Sequence, residues 1–148
     1  MQLQALAEMA DLLNSEGINY SVFLAAYSRA VARTSDVGDI VKGLIGNDVV
    51  VSDVCNVDVT SVKEELRQCL GYVGEEVAGP GMKTLNSEEF SRLFTRFIER
   101  VEQLSETSYG LKSLQFSAGH PAYPVFWDFA FLFLRDDEHV LLVGSSSD

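Results

Sequence analysis

One stretch, Val125-Phe126-Trp127-Asp128-Phe129-Ala130-Phe131-Leu132-Phe133-Leu134, most restricts what this chain can fold into. Aromatic and branched residues at that density suit a pleated, packed surface. Read with period two, Trp127, Phe129, Phe131 and Phe133 share one face. Phe126, Ala130, Leu132 and Leu134 share the other, interrupted only by Asp128. Apolar residues on both faces need cover on both sides, so the pattern predicts a strand in the middle of a sheet. Arg135-Asp136-Asp137-Glu138 turns the chain, and His139-Val140-Leu141-Leu142-Val143 returns beside it. A two-residue turn at Asp136-Asp137 sets Leu134 opposite His139 and, counting back, Asp128 opposite Ser145. Upstream, Lys112, Leu114, Phe116 and Ala118 alternate with Leu111, Ser113, Gln115 and Ser117 in a one-sided strand ending at Gly119. The expectation is a three-stranded antiparallel meander over about 111–145, with the aromatic strand central.

Helical spacing fills most of what precedes it. Leu3, Leu6, Ala10 and Leu13 predict one amphipathic helix. Phe23, Tyr27, Ala30 and Val31 predict a second, capped by Ser21, and Val37, Ile40, Val41, Leu44 and Ile45 a third, opening near Asp36 and stopped by Gly46. Residues 47–59 have no clean pattern and read as a short strand or loop. Ser61 and Glu64 have capping-box spacing ahead of Val62, Leu66, Cys69, Leu70 and Val73. The glycine-rich segment 71–84, with Pro80, reads as an irregular connection. The clearest helix follows, with Asn86 as N-cap, Glu89 at N3 and a stripe of Phe90, Leu93, Phe94, Phe97, Ile98, Val101 and Leu104. Arg92, Arg96 and Arg100 line its other side among glutamates and read as a solvated, pair-laced face. Helices first and strands last is an α+β order. The reading is one domain over 1–148, in which helices at about 2–104, the last of them long and amphipathic, pack on the C-terminal meander.

Composition limits the function. The chain has 148 residues, 22 acids against 11 bases and a net charge of -11. That field repels phosphate backbones, so nucleic acid is excluded as a partner, and a basic protein would be drawn in faster. No apolar run approaches the roughly 20 residues that span a bilayer, so no membrane association is expected. The first residues carry no basic n-region, and two cysteines, Cys55 and Cys69, make no disulfide framework. A cytoplasmic location is the expectation.

Little in the chain suggests a reaction. Gly79-Pro80-Gly81-Met82-Lys83-Thr84 lacks the Gly-Lys-Ser/Thr run of a phosphate loop. His120 and His139 fall at opposite ends of the hairpin, too far apart for a shared metal, and no cofactor or metal is expected. Asp128, alone among aromatics, is either a carboxylate tied down by serine hydroxyls and backbone amides or a general acid or base. A polar site of His120, Tyr123, Trp127 and Asp128 requires the Gly119–Pro124 loop to fold back over the strand. The preferred expectation is therefore a small acidic binding protein that inhibits a basic protein. Toxin-neutralising immunity proteins have this size and charge, which is an analogy only. Its acids outside helix pairs, Asp48, Asp53, Asp58, Asp136, Asp137 and Glu138, are the expected contact residues, since loops commonly serve recognition. The alternatives are a small enzyme or ligand binder using Asp128 and His120, and a structural subunit of a homodimer.

Overall fold

The computed structural model describes residues 3–30, 36–75 and 77–148. Its order is α1 (Leu3–Asn14), β1 (Ser21–Arg29), α2 (Val37–Ile45), β2 (Val50–Asn56), α3 (Val59–Leu70), α4 (Met82–Leu85), α5 (Glu88–Glu106), β3 (Ser108–Ala118), β4 (Trp127–Arg135) and β5 (His139–Ser147). The expected three-stranded sheet is corrected to a five-stranded antiparallel one, in the order β1-β5-β4-β3-β2. Its two further strands come early in the chain: β2 lies within 47–59, read as a short strand or loop, and β1 lies in a stretch read as a helix. Ser21–Arg29, expected as the second helix, is β1 and pairs with β5 from Ser21↔Ser147 to Arg29↔His139. Its helical stripe existed because apolar residues fill both strand faces, which leaves no alternation to see. Pairing with a distant strand then overrode a weak local preference. Val31, counted in that stripe, lies outside the described residues.

β4 is the middle strand, and its two faces build two cores. Phe129, Phe131 and Phe133 meet α1, α3 and α5 through Met9, Leu13, Leu66, Leu70, Phe97 and Val101. Ala130, Leu132 and Leu134 meet α2 through Ile40 and Val41, with Leu141 and Val143 of β5 alongside. Each fully buried side chain of this size contributes about 1.5–3 kcal/mol of transfer free energy. Trp127 stacks on Phe129 at 5.9 Å, and Phe129 on Phe131 at 5.5 Å, so the first face carries a ladder of rings. Gly144 of β5 lies directly under the Phe129 ring, leaving no room there for a Cβ. Phe126 departs from the period-two expectation: it precedes β4 and packs with Tyr20 at 5.7 Å and Tyr72 at 5.8 Å, on the three-helix side.

The start of α2 agrees with the spacing-based one, while α3 starts three residues earlier and α5 one residue later. Asp36 caps α2, its carboxylate accepting from the Gly38 amide at 2.8 Å. Asp58, not Ser61, caps α3, and Ser61 donates its amide to it at 2.7 Å. Ser87, not Asn86, caps α5, accepting from the Phe90 amide at 3.1 Å. The Asp58 and Ser87 side chains each meet the third amide of their helix, the partner that orphaned first-turn donors favour.

Candidate functional site

The ladder between β3 and β4 runs from Ser108↔Arg135 to Ser113↔Phe131 and goes no further, while the outer half of β3 stays with β2 through Val51↔Phe116 and Val50↔Ala118. The sheet therefore splits between the end of β3 and the start of β4. Asp128 stands at this split, exposed, and its position opposite Ser145 is on the other side of its strand. A hollow of about 220 Å³ occupies the split, walled by Asp53, Cys55, Glu65, Ser113, Gln115 and Asp128. Two register shifts in β2 and a positive φ of 50° at Asp53 mark the bulge that bends β2 beside it. Glu65 reaches the hollow from α3, where burial and then the Asp128 carboxylate hold its pKa above the ordinary glutamate value. Burial pushes the Cys69 thiol up to about 12, with Glu65 and Asp128 adding to it, so Cys69 is an inert core thiol.

A second hollow, of about 380 Å³, shares Asp128 and brings in Phe116, His120 and Tyr123. The Gly119–Pro124 loop does fold back: Gly119, at φ 74°, packs its backbone on the Asp48 carbonyl, and His120 stacks edge-on against Phe116 at 5.0 Å. His120 Nδ1 lies 2.9 Å from both the amide and the carbonyl of Ala122, which fixes the ring against its own loop. Burial holds the His120 pKa below its usual value, against the opposing pulls of Ala122 and Asp128. Trp127 does not join this group. It faces the three-helix core and donates from Nε1 to Tyr20 Oη at 2.8 Å. Of the expected polar site, His120, Tyr123 and Asp128 are together and Trp127 is on the far face.

The acidic residues divide by location. Asp136, Asp137 and Glu138 form the tip of the β4–β5 hairpin, where Arg135 lies 3.9 Å from Asp137 and 3.6 Å from Glu138. Asp58 is spent on its helix cap. Asp48 and Asp53 are exposed near the opposite end, with Glu75 and Asp128. Among the described residues no ion pair joins Asp48, Asp53, Glu65, Glu75 or Asp128 to a base. Nor does any join Arg92, Arg96 or Arg100 to a glutamate, so the expected helix-surface pairs do not form.

That same end gathers exposed apolar side chains, which sequence reasoning missed. The strand starts of β1, β2 and β4 and the strand ends of β3 and β5 lie there. Ile18 (58% exposed), Val73 (57%) and Met82 (53%) wall a groove of about 520 Å³ with Gly74, Gly79 and Gly81. Val77 (67%) adjoins it, held by the Asn19 side-chain amide donating to its carbonyl at 2.9 Å. Tyr123 (88%) and Val125 (56%) project from the β3–β4 loop. The only hint in the sequence was aliphatic residues set between glycines in 71–84. The groove is preshaped by backbone contact: Ile18 and Gly79 exchange amide–carbonyl bonds of 2.9 Å, and Glu75 donates to Ala78 at 2.7 Å.

Among the described residues no three His, Cys, Asp or Glu side chains converge as metal ligands, and no helix is long and apolar enough to cross a membrane. No protein-family model, no curated protein and no solved structure matches this chain.

Proposed function

We propose that this chain is a cytoplasmic protein-binding module that captures a basic protein, as an inhibitor would, through the loop end of its sheet. One observation supports the reading most. Exposed aliphatic side chains Ile18, Val73, Val77 and Met82 surround a preshaped groove, with acids bare of basic partners, Glu75, Asp48 and Asp128, on the same end. Grouped apolar exposure of this kind marks interaction surfaces, and single exposed residues do not. An apolar centre with a charged rim is also the usual anatomy of a protein interface. The acids would steer a basic partner and the aliphatic groove would hold it.

This changes which acids matter. Asp48 remains a contact residue, and Asp53 borders the split beside it. Asp58, Asp137 and Glu138 already serve the fold. A second reading, a small-ligand site, draws on the shared hollow of His120 and Asp128.

The test is capture from cell extract by immobilised wild-type protein and two variants, followed by kinetics on the purified captured protein. Ile18→Asp with Val73→Asp is expected to weaken binding about 100-fold or more, and Asp136→Lys with Asp137→Lys less than about threefold. Association with the wild type should slow as salt rises. A captured protein that is acidic, or that both variants bind equally, defeats the reading. Loss of binding only on His120→Ala with Asp128→Asn moves the site to the shared hollow.

A further inference from the structure

The two edges of the sheet are built differently. β2, at one edge, is bulged twice and carries Asp53 in a left-handed backbone conformation. Bulges and charges of this sort keep an edge from pairing with another chain. β1, at the other edge, has neither device. Its ladder with β5 is unbroken over nine residues, and among the described residues no strand lies along its other side. It holds no proline, and its one charged residue, Arg29, is the last. No acid occurs from Gly17 to Ser35, although the chain carries 22.

We propose that β1 pairs with β1 of a second copy of this chain, antiparallel, about a two-fold axis through Ala25 and normal to the sheet. Such an axis keeps each face on its own side, so α2 of both copies lies on one face of a ten-stranded sheet. Phe23 of each copy then stands opposite Tyr27 of the other, both on the α2 face, where each is only partly covered within one chain. Leu24 stands opposite Ala26 on the three-helix face. Two aromatic cross-strand pairs and two aliphatic ones are the favourable combinations for neighbouring strands. Ala25 meets Ala25 at the axis, and Arg29 meets Ser21, so no like charges face each other. The net charge of -11 opposes self-association wherever acids would meet, and this edge is where they would not. A strand from a basic protein finds no acid here to favour it, so the second copy is the occupant the edge fits. The pairing is independent of the binding surface proposed above. It points the two loop ends in opposite directions and makes the dimer bivalent.

Sedimentation equilibrium on the full chain, from about 1 to about 200 µM, tests this. The expected mass at the upper end is twice that of the 16.3 kDa chain. Ala25→Glu and Ala25→Lys each place like charges across the axis and should raise the dissociation constant about tenfold or more, with unchanged circular dichroism. An equimolar mixture of the two should recover the wild-type constant. A wild-type monomer across the range overturns the proposal. So does a dimer that both variants leave intact, or a mixture that fails to recover.

Discussion

At the hairpin end of the sheet, Arg135 stands within 4 Å of both Asp137 and Glu138, and its amide donates to Nδ1 of the buried His139 at 3.2 Å. At the loop end, Asp48, Glu75 and Asp128 have no such partner among the described residues, and bare aliphatic side chains lie around them. Both ends are acidic, so charge alone does not distinguish them. What differs is whether the local structure has already used the charge. The hairpin-tip acids stand out in the sequence as lying outside helix pairs, yet Arg135 beside them engages Asp137 and Glu138. The loop end is assembled from four separate segments, and only the folded chain reveals it.

The largest expected effect concerns β4, from which both ends hang. Phe131, 1% exposed, should cost about 3–5 kcal/mol on Phe131→Ala in urea denaturation, with probes at either end reporting one transition. Separate transitions, or a loss below about 1 kcal/mol, would break the comparison by making the ends independent.

The next effect is a difference in sign. The Asp137 carboxyl is held below the usual aspartate range by the Glu138 amide first and by Arg135 last. Its contribution is present above the ordinary aspartate pKa and is lost as pH falls through the lowered one. Glu65 runs the other way, because burial and then Asp128 raise its pKa in the folded chain. Folding therefore binds an extra proton there, and stability drops as pH rises from the ordinary glutamate value through the raised one. Asp137→Asn should flatten the acid limb of the stability–pH curve, and Glu65→Gln should remove the decline above it. Parallel changes in the two variants would show that the ends do not differ electrostatically.

The smallest effect sharpens the picture of the split sheet. Cys55 is exposed on its wall and Cys69 is buried with its thiol pushed to about 12. A thiol reagent at mildly alkaline pH should titrate a single cysteine in the native protein and both after unfolding. Prompt reaction of both would mean that the split opens through to α3.

The parts legible in the sequence were those whose partners are close along the chain. β4 and β5 are joined by a short turn, and counting residues gave the register that pairs Asp128 with Ser145. β1 was not legible, and β2 only as a short strand or loop, for opposite reasons. β1 is apolar on both faces and pairs with residues far along the chain, and β2 is bent by a bulge that scrambles its alternation. The site was half legible. Asp128 stands out in the sequence as a lone carboxylate among aromatics, but nothing there tells that the split leaves it in solvent. Glu65 looked like any helix-surface glutamate, because nothing in α3 signals that two strands part in front of it.

The place of β5, between β1 and β4, governs the order of assembly. β3, β4 and β5 follow one another and can zip together through short connections. β1 must wait, since joining Ser21 to Ser147 closes a loop of 126 residues. The entropy of closing a loop grows only slowly with its length, but searching for so remote a partner lengthens the time to the native state. Until β5 is in place, β1 has no template to hold it extended, and its alanine-rich, helix-compatible sequence is free to coil. On these grounds β1 is expected to be recruited only after β5, and its docking to be a slow step in completing the sheet.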